Sequence, residues 1–475
     1  MDLLHGDLGL YSRMFSLTTE PGNILLLQAP VPGVHNRMVA KASAIAPLGL
    51  GYIAAVLLRD GFDVRICDMD VEDVGTSALQ DTLDAFRPAV VGISCTTLTL
   101  KNALRVAKVT KQALPDAVVC VGGPHTTVRP GDALKYPFVD VVVRGEGELT
   151  FLELCRAVAD GQQGPLEIVG TAWEVEGKLL EMPARERIAD LDSLPYPARH
   201  LMPLHLYKIP GTVVTSRGCP FACGFCAGPT VLGRIYKQRA PSEVVNEMQK
   251  CIDLFGLTSF YFVDDTMTYD TNRVLELCCD MKALRVPPEL GRRLKWTCES
   301  RANAVTPQLL KTMREAGCTT IQFGMESGSQ KLLDALGKGV TVSEIEQAVA
   351  AACAVGISPV LSMVFPHPDE TEATMKETFD FVRHLYDLGA EQVIPALLTL
   401  FPGTRFMEER EELGLSLLVE DTDEYNLGTP LLTTKHLDAE AISNGYSQLL
   451  LLTQMMGGTE AGGTQIESRL EGYIP

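Results

Sequence analysis

Short apolar, β-branched runs alternate with longer amphipathic stretches from residue 23 to about 160. Ile24–Leu27, Val64–Ile66, Val90–Cys95, Val118–Val121 and Val139–Val143 are strand candidates. Leu48–Leu58, Ala78–Phe86 and Leu100–Leu114 carry apolar residues at helical spacing. A strand covered on both faces must be apolar throughout, whereas a covering helix needs only an apolar stripe. The alternation therefore predicts a doubly wound parallel sheet of about five strands. Such sheets bind ligands at the carboxyl ends of their strands.

Residues 161–208 break this pattern, with a hairpin signal at Glu176–Gly177 and the run Leu194-Pro195-Tyr196-Pro197. They read as a structured linker. A second alternation starts at Thr212, with strands expected at 212–216, 259–264, 294–298, 319–324, 358–364 and 391–397. Helices are expected at Ser242–Phe255, Thr306–Ala316, Val342–Val355 and Thr371–Leu388, with Ser242 and Thr306 as N-caps. Gly256, Gly317 and Gly356 serve as stops. The expectation is an α/β chain: an extension (1–22), a Rossmann-like doubly wound domain (23–160) and the linker (161–208). A partial (β/α)6 barrel (209–405) and a short helical C-terminal region (406–475) follow.

A chain of 475 residues exceeds one ordinary core. Its 46% hydrophobic and 21% charged residues are those of a globular protein. A net charge of −19 disfavours nucleic acid and anionic lipid as partners. No apolar stretch approaches the roughly 18–20 residues of a membrane span, and the first residues do not resemble a signal peptide, so a cytoplasmic protein is expected. The odd count of 13 cysteines argues against a disulfide framework. Cys67, Cys95, Cys120 and Cys298 sit in apolar runs and read as small core residues.

Three cysteines stand apart. Ser216-Arg217-Gly218-Cys219-Pro220-Phe221-Ala222-Cys223-Gly224-Phe225-Cys226 places Cys219, Cys223 and Cys226 at C-x3-C-x2-C spacing after the first barrel strand. Clustered thiolates select zinc or iron–sulfur clusters. A structural zinc site closes with four ligands, and neither Cys251, on a predicted helix, nor His205, before the strand, is suitably spaced. Three thiolates on a four-iron cubane leave one iron open.

This run resembles the signature of the radical S-adenosylmethionine (SAM) enzymes, including the aromatic Phe225 before the third cysteine. The resemblance implies a [4Fe–4S] cluster whose open iron chelates SAM, and formation of a 5′-deoxyadenosyl radical. Further segments match in order. Trp296-Thr297-Cys298-Glu299-Ser300-Arg301 is similar to the strand that gives polar contacts to SAM, through Glu299 and Arg301. Gly324-Met325-Glu326-Ser327-Gly328 resembles the glycine-rich segment near the methionine moiety, implicating Gly324, Glu326 and Ser327. Phe401-Pro402-Gly403-Thr404 resembles the segment after the sixth strand. The turn Val364-Phe365-Pro366-His367-Pro368-Asp369-Glu370-Thr371 departs from the usual glycine-containing form, and His367 reads there as a solvent or loop histidine.

The first domain resembles the cobalamin-binding domain fused to one branch of that family. The segments are Ala46-Pro47-Leu48-Gly49-Leu50, Gly92-Ile93-Ser94-Cys95-Thr96-Thr97, Val121-Gly122-Gly123-Pro124-His125 and Arg144-Gly145-Glu146-Gly147-Glu148. The resemblance implies that Gly122 and Gly123 let the backbone approach the cobalamin tail, that Ser94 and Thr97 bond its dimethylbenzimidazole, and that Pro124 and Glu146 belong to the site. The D-x-H-x-x-G ligand motif is missing; its loop reads Ala29-Pro30-Val31-Pro32-Gly33-Val34-His35, so His35 is a weak cobalt ligand candidate. His125 reads as a loop or tail contact.

Together the resemblances imply a cobalamin-dependent C-methyltransferase for an unactivated carbon of a small molecule, reduced by an external donor such as flavodoxin or ferredoxin. One SAM supplies methylcobalamin and a second the radical. Asp190-Leu191-Asp192-Ser193-Leu194-Pro195 also resembles the anaerobic magnesium-protoporphyrin cyclases, which makes a non-methylating enzyme the alternative. A non-catalytic cobalamin or iron–sulfur carrier is the alternative of another class. No residue is assigned as a catalytic acid or base.

Overall fold

A computed structural model describes residues 19–32, 44–291, 293–421, 425 and 428–457. The first alternation is β1 (Glu20–Gln28), α1 (Leu48–Arg59), β2 (Asp63–Asp68), α2 (Thr76–Phe86) and β3 (Pro88–Ser94). It continues as α3 (Leu100–Ala113), β4 (Val118–Gly122), α4 (Pro124–Val128), β5 (Val141–Val143) and α5 (Gly147–Ala159). These strands are parallel, in the order β2-β1-β3-β4-β5.

Successive strand residues face opposite sides. Ile24 and Leu26 pack with Leu50, Val56, Phe151 and Leu154 of α1 and α5. Leu25 and Leu27 pack with Leu79, Leu83 and Leu104 of α2 and α3. Both faces are dry there, which is why Ile24–Leu27 of β1 is an unbroken apolar run. The helix after β1 covers one face and the helix after β3 the other. The adjacent β1 and β3 therefore flank a topological switch point, where a crevice opens at their carboxyl ends.

The hairpin read as linker belongs to this sheet. β6 (Thr171–Val175) pairs antiparallel with β5, and β7 (Lys178–Glu181) with β6, giving seven strands instead of about five. The hairpin covers the edge β5 would otherwise expose and ends on Lys178 and Glu181, charges that blunt the new edge.

β8 (Thr212–Val213) opens the second sheet and is followed by a separate antiparallel ribbon, β9 (Ser216–Arg217) and β10 (Lys237–Gln238). The strand expected at 212–216 is thus split at Val214. Between the ribbon strands lies α6 (Gly228–Val231). Then come α7 (Pro241–Phe255), β11 (Ser259–Phe262), α8 (Thr271–Met281), β12 (Lys295–Ser300), α9 (Pro307–Glu315), β13 (Cys318–Gly324) and α10 (Gln330–Leu336). The chain continues through α11 (Val342–Ala354), β14 (Ser358–Phe365), α12 (Glu372–Asp387), β15 (Gln392–Leu397), α13 (Arg405–Glu408) and α14 (Ala439–Met456). β8 and β11–β15 form six parallel strands in sequence order, the partial barrel expected.

Thr306 caps α9 by accepting from the Leu309 amide. Gly256, Gly317 and Gly356 have φ of +67°, +101° and +78°, left-handed stops that favour glycine. Ser242 is not a cap: α7 begins one residue earlier, at Pro241, whose missing N–H costs nothing in a first turn. Among the described residues, no helix is long and apolar enough to cross a membrane.

Candidate active site

The β9–β10 ribbon closes the loop that carries the three cysteines. Gly218 has φ +90°, and a Cβ there would strike the Ile235 carbonyl. Gly224 is wedged between chain segments: its N–H donates to Leu336 O at 3.0 Å and its carbonyl accepts from Phe406 N at 3.0 Å. A Cβ at Gly224 would meet the Phe406 ring, so α10 and α13 grip a loop that must be bare there. The Cys219 thiol is 4.0 Å from Thr266 Oγ1, and Cys226 accepts from Gly228 N at 3.3 Å. Cys223 is 3.7 Å from Arg301 Nη1. Burial pushes the Cys226 thiol up to about 11, with Cys223 and Asp265 adding to the effect. Ligation must therefore displace protons. Among the described residues, no three His, Cys, Asp or Glu side chains converge as a single-ion site. Spread thiols fit a multi-iron cluster, where each binds its own iron.

The predicted SAM segments gather beside this loop. Arg301 stacks 3.7 Å over the Phe221 ring and donates to the Lys338 carbonyl. Glu326 has φ +62°, unusual for a side chain of its size. Three bonds hold it there: the Met325 and Glu326 amides both donate to Ser362 O, at 2.8 and 3.1 Å, and Lys338 Nζ pairs with its carboxylate at 2.5 Å. The other predicted contacts are already engaged. Glu299 accepts from Tyr261 OH, and burial raises its pKa. Ser327 Oγ lies 3.2 Å from Thr378 Oγ1 and accepts from Ser329 N at 3.1 Å, in a residue 1% exposed. Phe225 packs on the barrel core. Gly324 is bare because a Cβ would meet the Lys338–Glu326 pair. His367 stands in the loop after β14 but is not in solvent: it is 2% exposed, with Nε2 2.9 Å from Glu326 O and Nδ1 without a partner.

A cavity of about 320 Å³ lies at the β1/β3 switch point. Leu26, Leu48, Gly92, Val143 and Phe151 give it apolar walls, with Ser94, Gly122, Gly123 and Pro124 at the carboxyl ends of β3 and β4. Val214, Ser216, Arg217, Val263 and Asp265 of the second module complete it. A second cavity, of about 350 Å³, shares Leu48 and Val263 with the first. An apolar, glycine-edged slot beside a further chamber fits a large cofactor with a flat aromatic tail.

Thr97 does not line this cavity. It is buried, 3.1 Å from His125 Nδ1, while His125 Nε2 lies 3.3 Å from Asp132. His125 is thus a core residue and not a loop or tail contact. Glu146 borders the cavity, but its carboxylate accepts from Arg217 at 2.8 Å and from the Ile188 amide at 2.7 Å, making it an interdomain ion partner. Gly123 is bare for packing: its φ is +110° and a Cβ would strike the Cys95 carbonyl. Gly122 faces the cavity with only Val143 near a built Cβ, at 3.4 Å. His35 lies outside the described residues.

Sequence reasoning missed Asp265. Its side chain lines the cavity and has no hydrogen-bond partner among the described residues. Burial, Asp264 and Glu299 all raise its pKa. The adjacent acids Asp264-Asp265 directly after an apolar strand were the available signal.

The B12 binding domain family matches residues 39–155, and the radical SAM superfamily matches residues 213–382. An uncharacterized methyltransferase of Pyrococcus horikoshii is 35% identical, over 88% of this chain and 90% of its own. The chain belongs to the cobalamin-dependent radical SAM family, in its methyltransferase-like branch. The anaerobic magnesium-protoporphyrin IX monomethyl ester cyclase of Cereibacter sphaeroides is 27% identical over 87% of this chain and 68% of its own. In fold, this radical SAM enzyme resembles the methyltransferase TsrM of Kitasatospora setae, solved with cobalamin and a [4Fe–4S] cluster. The TM-score is 0.71 at 18% identity, over 94% of this chain and 90% of that one. Cobalamin, SAM and a [4Fe–4S] cluster are the cofactors of the family.

Proposed function

We propose that this enzyme transfers a methyl group from SAM to an unactivated carbon of a small molecule. The observation that carries the reading is the shared cavity. Its floor is the cobalamin-type switch point, and its far wall is the strand end and ribbon that lead into the cysteine loop. The three cofactors, when bound, supply methyl transfer and radical formation. The protein's own residues hold and shield them.

Cys219, Cys223 and Cys226 bind the cluster, and Arg301 secures Cys223 and the Phe221 ring. The unpartnered Asp265 carboxylate receives the SAM ammonium group, and the pinned Glu326 backbone borders the methionine moiety. Ser94 and Gly122 meet the cobalamin tail, while the Leu48, Phe151 and Val143 walls keep water out. Reducing equivalents come from a flavodoxin- or ferredoxin-like donor.

Gly122→Val tests the cavity assignment. The strand end accepts the branched side chain with a small adjustment at Val143, and the added methyls enter the cavity. Overpacking of this kind predicts cobalamin affinity lowered roughly tenfold or more, with iron content unchanged. Wild-type affinity in the variant would place the cofactor elsewhere. The fate of the SAM methyl group tests the reaction. With methyl-labelled SAM and a reductant, a product carrying the label supports methyl transfer. 5′-Deoxyadenosine with an unlabelled product supports the cyclase-type reaction, for which the 27% identical relative speaks.

A further inference from the structure

Two buried arginines anchor the ribbon around the cysteine loop, and both reach the first module. Arg217, on β9, stands two residues before Cys219. Its Nη1 donates to Glu146 at 2.8 Å and its Nη2 to Glu148 at 2.6 Å. The three side chains are only 12%, 9% and 4% exposed. Arg239, just after β10, donates to Tyr52 OH at 3.4 Å, to Val214 O at 3.1 Å and to Glu247 at 2.5 Å. The two anchors converge on Tyr52 of α1, because the Arg217 guanidinium also lies 5.2 Å over its ring.

Tyr52, Glu146, Glu148 and Arg217 all line the cavity at the switch point. At the other end of the loop, α6 begins two residues after Cys226, and Val231 and Leu232 line the same cavity. Residues on both sides of the cysteines are therefore cavity wall. Fixing the three thiols fixes that wall, and filling the cavity fixes the loop's flanks. An arginine fork spanning two carboxylates tolerates little displacement, so the ribbon transmits position.

We propose that the ribbon couples the two cofactor sites: cluster assembly on the cysteine loop and cobalamin binding in the cavity strengthen each other through Arg217, Arg239 and Tyr52. The inference rests on the assignment of cobalamin to this cavity. Arg217 acts here as a positioning residue. Linkage requires the effect to be reciprocal, so bound cobalamin raises the loop's equilibrium affinity for the cluster by the same factor.

The test measures hydroxocobalamin affinity by equilibrium dialysis and visible absorbance. It uses the full chain, iron-free and after anaerobic reconstitution with iron and sulfide. The reconstituted wild type is expected to bind about tenfold more tightly than the iron-free form, within the usual range of such coupling. In Arg217→Lys the charge remains but the fork is lost; the two forms should then bind with nearly equal affinity while iron content is retained. Tyr52→Phe, which keeps the ring and loses the hydroxyl, should retain part of the difference. Equal affinities for the two wild-type forms would overturn the coupling. A full tenfold difference in both variants would overturn the route. Failure of both wild-type forms to bind would instead overturn the cavity assignment.

Discussion

Replacing Cys219, Cys223 and Cys226 together with alanine is expected to abolish iron binding and all cleavage of SAM. The other thiols of the barrel core cannot substitute. Cys251, Cys278, Cys298 and Cys318 are at most 2% exposed within the barrel core. Activity should fall to background, a loss on the order of a millionfold, because the group that reduces SAM is gone. The loop itself should survive, since Gly218, Gly224 and the ribbon are held by backbone contacts that do not involve the thiols. Iron and sulfide analysis of anaerobically purified protein checks this; four irons per chain in the triple variant would refute the ligand assignment. Treating the two sites as independent suggests that cobalamin binding would be untouched. The shared cavity wall argues otherwise, and a reduced cobalamin affinity is expected with the iron lost.

The second large effect concerns stability. Glu247 of α7 is 1% exposed and pairs with Arg199 at 2.6 Å and Arg239 at 2.5 Å. Arg199 also donates to Thr212 O at 2.5 Å, at the start of the barrel. Glu247→Ala leaves the buried Arg199 without its carboxylate and Arg239 with only Asp192, at 3.2 Å, where linker, barrel and first domain meet. Breaking a buried pair in this way costs about 3–5 kcal/mol. In a chain of this size that lowers Tm by roughly 3–5 °C. Glu247→Gln, which keeps the shape and some hydrogen bonding, should lose less. Calorimetry of the iron-free protein reads both; an unchanged Tm in Glu247→Ala would show that the cluster of charges carries no net stability.

What was legible in the sequence followed from local chemistry. The unbroken apolar run Ile24–Leu27 announced a strand buried on both faces. Cysteine spacing marked the loop, and Gly218 and Gly224 stand where backbone and the Phe406 ring leave no room for a side chain. What was hidden depended on distant partners. Glu146 reads as a cofactor contact until Arg217, 71 residues away, is seen to occupy its carboxylate. Thr97 sits at a strand end, yet turns inward to His125. Gly122 and Gly123 look equivalent in sequence, but Gly122 faces the cavity and Gly123 packs on Cys95. The hairpin after residue 170 carried a clear turn signal, but no local feature said which sheet it would extend. Lys338 and His367 lie outside the Gly324–Gly328 segment, and only packing brings them to Glu326.

The most direct test of the central claim is to quantify S-adenosylhomocysteine and 5′-deoxyadenosine from the same reaction. The enzyme is loaded with cluster and cobalamin and given excess methyl-labelled SAM, a strong reductant and extracts fractionated for acceptor molecules. Methyl transfer from one SAM and radical formation from another predict both products, with the label recovered in an acceptor in step with the S-adenosylhomocysteine. Sustained formation of 5′-deoxyadenosine without S-adenosylhomocysteine would contradict the account.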